Sequence, residues 1–162
     1  MRAARCWVVV SVLLLTSSAA AQRPRRDVPA ARGETPRPYV DGQDAEPVLR
    51  EALAESARDG RTVLVMLGAN WCVWCRRLDY ALRNDPVLAP VVARGFRLVH
   101  VDEGANQALN QRWGNPRRLG LPVLLVLGAD GAPVTVQETG ALELGPGHSR
   151  TRVLAFLRRA RP

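Results

Sequence analysis

Two cysteines stand three positions apart in the run Asn70-Trp71-Cys72-Val73-Trp74-Cys75-Arg76-Arg77. At that spacing two sulfurs can meet across one turn at a helix start, so a disulfide between them can open and close without large motion. The attacking species in such chemistry is the thiolate. A helix N-terminus favours negative charge, which favours a thiolate at Cys72, and Arg76 and Arg77 follow at once and add positive potential. The first cysteine of such a pair is expected to be exposed and the second covered. Cys72 is then the nucleophile and Cys75 the resolving thiol.

The other candidates for this pair are read from the same residues. A structural zinc site needs four ligands; beyond the pair the chain offers His100, His148 and one early cysteine, Cys6. A c-type haem attachment needs His directly after the second cysteine, where this chain has Arg76. Two soft thiolates also suit copper delivery, and an inert pair kept for packing is the plainest alternative. No metal or other cofactor is expected for the redox reading.

The N-terminus reads as a secretory signal over residues 1–21. Arg2 and Arg5 give a positive start, Trp7 to Leu15 is apolar except for Ser11, and Ala19 and Ala21 precede Gln22 as a small-residue cleavage site. The apolar run is shorter than the ~20 residues of a membrane-spanning helix; an uncleaved anchor is the alternative. Cys6 lies ahead of the apolar run, so the mature chain retains Cys72 and Cys75 alone. An exported protein that used disulfides as staples would spread its cysteines along the chain. A disulfide closing so short a loop adds little chain-entropy stabilisation, which makes this pair easier to explain as chemistry than as architecture.

Residues 22–42 hold Pro24, Pro29, Pro36 and Pro38 among several Arg and little apolar material, the composition of a flexible linker outside the core. Residues 43–162 are read as one domain; 162 residues at 47% hydrophobic suffice for a single real core. All 23 basic residues are Arg, a compositional mark of a GC-rich genome, and the formal charge is +8. The excess sits at the ends: residues 38–149 carry eleven Arg against thirteen acids. A nucleic-acid binder concentrates basic charge on its folded face, so no nucleic-acid partner is expected.

The elements that position the pair follow from periodicity and punctuation. Glu46 to Asp59 reads as a helix stopped by Gly60, and Thr62 to Leu67 as a buried strand. A helix starts at or near Cys72, Asp85-Pro86 ends it, and a short one runs through Val92. Phe96 to Val101 is a second strand and Ala105 to Trp113 a short helix. Leu121 to Leu127 is a third strand, joined by an Asp130-Gly131 turn to a fourth, Pro133 to Glu138. A loop over 140–147 precedes a closing amphipathic helix, Ser149 to Arg159. This order gives an α/β fold with a mixed sheet covered on both faces.

The strand Val63-Leu64-Val65-Met66-Leu67, followed by Gly-Ala-Asn-Trp-Cys-x-x-Cys opening a helix, resembles the thioredoxin superfamily, as does Gly120-Leu121-Pro122 leading into a strand. The resemblance covers residues 45–160 and is greatest to exported bacterial members with a Trp-Cys-x-Trp-Cys site. It implies a thioredoxin fold with a central four- to five-stranded sheet flanked by helices. It also implies a cis peptide bond at Pro122, which faces the cysteines, and a client-binding surface at Trp71, Trp74, Leu121 and Pro122. The implied activity is thiol–disulfide exchange with protein thiols and disulfides in the periplasm, in the reducing direction, by a monomer served by a membrane thiol–disulfide electron donor. The alternative on the same fold is a binding module or copper chaperone whose thiols do not turn over.

The chain departs from thioredoxin itself at three places. Val73-Trp74 replaces Gly-Pro between the cysteines, so the redox poise is not inherited. Met66 and Leu98 stand where thioredoxin has a buried Asp and Lys, so the proton relay is absent or relocated. His100 is a candidate substitute, though a strand His is more often a satisfied structural residue, and that reading is favoured. His148 is expected to be solvated. Trp74 has two readings, an apolar face for unfolded clients or a packed shield over Cys75. Trp113 is expected in the core.

Overall fold

The computed structural model describes residues 37–161. The expected signal segment, with Cys6 and Trp7, and the expected linker up to residue 36 lie outside the described residues.

Helix α1 (Ala45–Asp59) opens on the Asp44 carboxylate, which accepts the Glu46 N–H at 3.0 Å. It stops at Gly60, whose left-handed φ of 72° lets its N–H return to the Ser56 carbonyl. Strand β1 (Thr62–Gly68) follows, then α2 (Val73–Asn84), α3 (Leu88–Gly95), β2 (Phe96–Asp102) and α4 (Gln107–Arg112). A 3-10 turn over Pro116–Leu119 leads to the hairpin of β3 (Val123–Leu127) and β4 (Pro133–Glu138). A two-stranded ribbon, β5 (Glu143–Leu144) and β6 (Gly147–His148), precedes α5 (Arg150–Arg159). The main sheet runs β2-β1-β3-β4, with β1 parallel to β2 and antiparallel to β3, and β3 antiparallel to β4. This is the thioredoxin fold that the resemblance implies, with a four-stranded central sheet.

Strand β1 is the spine. Its residues alternate between two apolar layers, as the two-residue period of a strand requires. Leu64 and Met66 pack with Leu78 and Leu82 of α2, Val92 of α3, and Phe156 and Leu157 of α5. Val63, Val65 and Leu67 pack on the opposite face with Leu49 and Ala52 of α1, Leu109 of α4 and Trp113. Burial on both faces explains why β1 reads as one continuous apolar run. It also fixes where the strand's C-terminal end, and the turn that follows, must lie.

Several boundaries differ from expectation. The strand expected from Leu121 begins at Val123, because Pro122 has no N–H to donate to a ladder. The third helix reaches Gly95, where the extended Phe96 takes over with its N–H on the Val92 carbonyl. The loop expected over 140–147 contains the β5–β6 ribbon.

The expected linker is also corrected at its C-terminal end. Residues 37–42 form a strap on the folded domain: Tyr39 is 4% exposed and packs with Met66, Cys75 and Leu78. The Gly42 N–H donates to Asp102 Oδ2 at 2.9 Å. The polar and Pro-rich surroundings hide a single buried aromatic. Among the described residues, no helix is long and apolar enough to cross a membrane.

Candidate functional site

The cysteine pair sits where β1 ends and α2 begins. Cys72 is the N-cap residue of α2, with an extended backbone (φ −77°, ψ 108°), and its Sγ accepts the Cys75 N–H at 3.1 Å. The helix thus starts at Val73, one residue after Cys72, and the positive end of α2 falls on the Cys72 sulfur. The two cysteines are joined as a disulfide with Cα atoms 5.3 Å apart. Their environments differ. Cys75 is fully buried, and Cys72, expected to be exposed, is itself buried at 6% exposure, though it lines the neighbouring cleft.

That cleft, of about 440 Å³, is walled by Trp71, Cys72, Val73, Trp74, Arg117 and Leu121. Trp71 is 71% exposed, a large apolar surface that burial does not account for. The Leu121–Pro122 peptide is cis. Pro122 is buried and its carbonyl accepts the Thr139 hydroxyl at 2.5 Å, so Leu121 is the member of this pair that faces the cleft. Arg117 stands at the rim, held by Glu103, which is 8% exposed and takes both Nε and Nη2 of the guanidinium. A larger cleft of about 530 Å³ lies at the other end of the sheet, against Gly60, Thr62 and Arg161, away from the sulfurs.

Trp74 stands between the core and the cleft. Its ring centroid is 5.5 Å from the His148 ring, edge to face, and the Arg77 guanidinium lies 5.0 Å from it on the ring face. His148 corrects an expectation: it is 1% exposed rather than solvated, and neither ring nitrogen has a hydrogen-bond partner among the described residues. Pairing of β6 with β5 carries it inward, beneath Trp74. Burial, and then the positive charge of Arg77, lower its pKa to about 4.

His100 is a satisfied structural residue. Its Nε2 lies 2.8 Å from Asp79 Oδ1, and because a carboxylate only accepts, Nε2 carries the proton. Arg83 Nε donates to the same oxygen at 2.6 Å. Burial alone would raise the Asp79 pKa, but the hydrogen bonds from His100 and Arg83 outweigh it and hold it below the ordinary value. Met66 is buried in the same apolar cluster as Cys75 and brings no carboxylate to the pair. Among the described residues, no group of three or more His, Cys, Asp and Glu side chains is placed to hold a metal ion.

Three contributors to this region were not found from sequence. Asn70 brackets Tyr39 from the turn before Cys72. Arg117 reaches the cleft from the 3-10 turn. Tyr39 brings its hydroxyl to Gly68, the last residue of β1. A side chain at Gly68 would collide with that hydroxyl, and its Cβ would stand 2.6 Å from Cys75 Sγ.

This fold, with a Cys-x-x-Cys pair capping the helix after the central strand, defines a thioredoxin-like disulfide oxidoreductase. A family model described as thioredoxin-like matches residues 44–129, and the chain belongs to this family. Among solved structures, the chain is similar to a disulphide isomerase from Xylella fastidiosa Temecula1. The two share 29% identity with a TM-score of 0.65, over 78% of this chain and 98% of that one. It is also similar to a thioredoxin from Thermus thermophilus, at 25% identity and a TM-score of 0.49, over 68% and 81% of the two chains. A third match is the oxidised C-terminal domain of DsbD from Neisseria meningitidis, at 20% identity and a TM-score of 0.49, over 71% and 95%. No curated protein matches the sequence.

Proposed function

We propose that the chain is an exported, periplasmic enzyme that reduces disulfides of client proteins, with Cys72 as nucleophile and Cys75 as resolving thiol. The observation that carries this reading is the asymmetry of the pair. Cys72 caps the helix at the wall of an apolar cleft, and Cys75 is sealed behind it. In the dithiol form, the Cys72 thiolate attacks one sulfur of a client disulfide. A mixed disulfide forms and the first client sulfur leaves as a thiolate. Cys75, once deprotonated, attacks Cys72 Sγ, the Cys72–client bond breaks, and the second client thiolate leaves. The client gains two electrons and the protein is left with the disulfide that the structure contains.

Trp71, Trp74 and Leu121 supply the apolar wall for an unfolded client segment, and Pro122 with the backbone around it is proposed to hold that segment in an extended pairing. The similarity to a disulphide isomerase supports the reducing direction, since isomerisation begins with the same attack by a dithiol enzyme. Regeneration then needs a reducing partner, for which a membrane thiol–disulfide donor is proposed. The signal read over residues 1–21 supports export.

The test is turnover of insulin disulfides with dithiothreitol as donor. Wild-type chain accelerates reduction, Cys72→Ser and Cys75→Ser do not, and Cys75→Ser alone accumulates a mixed disulfide. Absence of activity above the variants, together with stoichiometric Cu(I) binding, would replace the enzyme by a copper-binding module. Mass spectrometry of exported material tests cleavage after Ala21.

A further inference from the structure

Cys75 is walled off from water, yet thiol–disulfide exchange makes it an anion. When a donor thiolate attacks Cys72 Sγ, the Cys72–Cys75 bond breaks and its electron pair leaves on Cys75. The donor's second thiolate then attacks the donor–Cys72 bond, releasing Cys72. The donor becomes a disulfide, and its two protons end on the protein thiols through solvent. In the client half-reaction Cys75 must again shed its proton before it attacks. A buried anion without a hydrogen-bond donor is costly. Neither Met66 beneath the pair nor the apolar side chains around it can supply one.

One polar atom is placed to do so. The Tyr39 hydroxyl is buried and has no hydrogen-bond partner among the described residues. It and Cys75 Sγ both lie within 2.6 Å of the point where a Gly68 Cβ would stand, so they are separated by no more than twice that distance. The absence of a side chain at Gly68 is what lets them approach. The ring is fixed from two sides. Asn70 grips the backbone of Tyr39 with Oδ1 on its N–H (3.1 Å) and Nδ2 on its carbonyl (2.7 Å). His100 meets the ring edge to face, with centroids 5.3 Å apart.

We infer that the Tyr39 hydroxyl is the hydrogen-bond donor to Cys75 in the dithiol state, a positioning group that favours the Cys75 thiolate. It is contributed by a strap outside the family-matched residues 44–129. The inference rests on the redox reading above and deepens it. A disulfide sulfur is a weak acceptor, which accounts for the orphaned hydroxyl in the oxidised form; a thiolate accepts strongly. Burial, followed by the charges of Asp79 and Asp102, pushes the ionisation of Tyr39 far above the ordinary phenol range, so the oxygen keeps its proton and remains a donor. The strap therefore stabilises the reduced form and raises the reduction potential of the couple, setting how strongly the dithiol can reduce a client.

The experiment compares wild-type chain with Tyr39→Phe, which keeps the ring and removes the oxygen. Equilibration against glutathione, read by alkylation of free thiols, is expected to shift roughly tenfold toward the disulfide, or about 30 mV for a two-electron couple. Thermal unfolding is expected to show the reduced form of the variant weakened and the oxidised form unchanged or strengthened. An unchanged potential, or equal weakening of both forms, overturns the inference and leaves Tyr39 as packing. A second measurement needs no variant: in wild-type chain the Cζ chemical shift of Tyr39 moves on reduction while that of Tyr80 does not, and an unmoved Tyr39 signal also overturns it. Insulin reduction by the wild-type chain is run alongside. Its failure would strike the redox reading itself, whereas an unaltered potential in an active enzyme would strike the Tyr39 role alone.

Discussion

Asn70 and Tyr39, 31 residues apart in sequence, are joined by two hydrogen bonds from one side-chain amide to one residue's backbone. The amide also donates to Asp41 Oδ1 at 2.7 Å. The strap and the turn that carries Cys72 are thus a single mechanical unit. Asn70→Ala leaves the buried Tyr39 N–H and carbonyl unpaired, at a cost of about 2–3 kcal/mol. The expected result is release of the strap before the core unfolds. Chymotrypsin should then cut after Tyr39, buried while the strap is docked, in the variant at concentrations that spare the wild-type chain.

His148 sets a pH dependence that the carboxylates do not. Its folded pKa is lowered from 6.5 to about 4. Between those values the unfolded chain binds a proton that the folded chain refuses, so stability is full above pH 6.5 and is lost as pH falls toward 4. The loss reaches roughly 3 kcal/mol. Denaturant unfolding at pH 7.0 and 4.5 should show it. His148→Leu, which fills the site without two unpaired nitrogens, should flatten the slope across that window. Asp79 and Asp85 are both held below the ordinary carboxylate value, so their contributions disappear only at still lower pH.

Asp85 joins three elements. Its Oδ1 accepts the N–H groups of Val87 (2.8 Å) and Leu88 (3.1 Å), and its Oδ2 takes Arg150 Nε (2.7 Å) and Nη2 (2.5 Å). The junction of α2 and α3 is thereby tied to the start of α5. Asp85→Ala strips the partner from a largely buried guanidinium and uncaps α3, and should cost about 3–5 kcal/mol in chemical denaturation. Arg150→Ala, which strands a carboxylate that keeps its two backbone donors, should cost less.

Trp71 offers the opposite test, function without stability. As a side chain 71% exposed, it should tolerate Trp71→Ala within about 0.5 kcal/mol of stability. If the cleft wall binds clients, kcat/KM for insulin should fall roughly tenfold, while reduction of a small disulfide such as oxidised glutathione changes little.

The parts of this site legible in the sequence were those written in local pattern. The continuous apolar run of β1, the cysteine spacing, and Leu121-Pro122 before a strand each announce themselves within a few residues. Tyr39 does not, because its burial depends on Asn70 and Gly68 across the fold, and its neighbours Pro36, Pro38 and Gly42 mark a loop. His148 is hidden for the same reason. Gly145, Pro146 and Gly147 read as an exposed turn, and only the packing of β6 beneath Trp74 reveals an interior position. Helix ends shifted by a residue or two because caps such as Cys72 and Ser149 flank their helices and do not belong to them.

The run of β1 from Thr62 to Gly68, about 20 Å at strand rise, separates the two chain ends of the domain. Arg37 to Gly42 leave beside Gly68 and the sulfurs, while Arg161 lies against Gly95 and near Thr62. A label or resin attached after Arg161 therefore sits away from the cleft that Cys72 lines. The same attachment placed just before Arg37 crowds the approach of any client. For a surface-immobilised assay or a reporter fusion, the carboxyl end is the one to use.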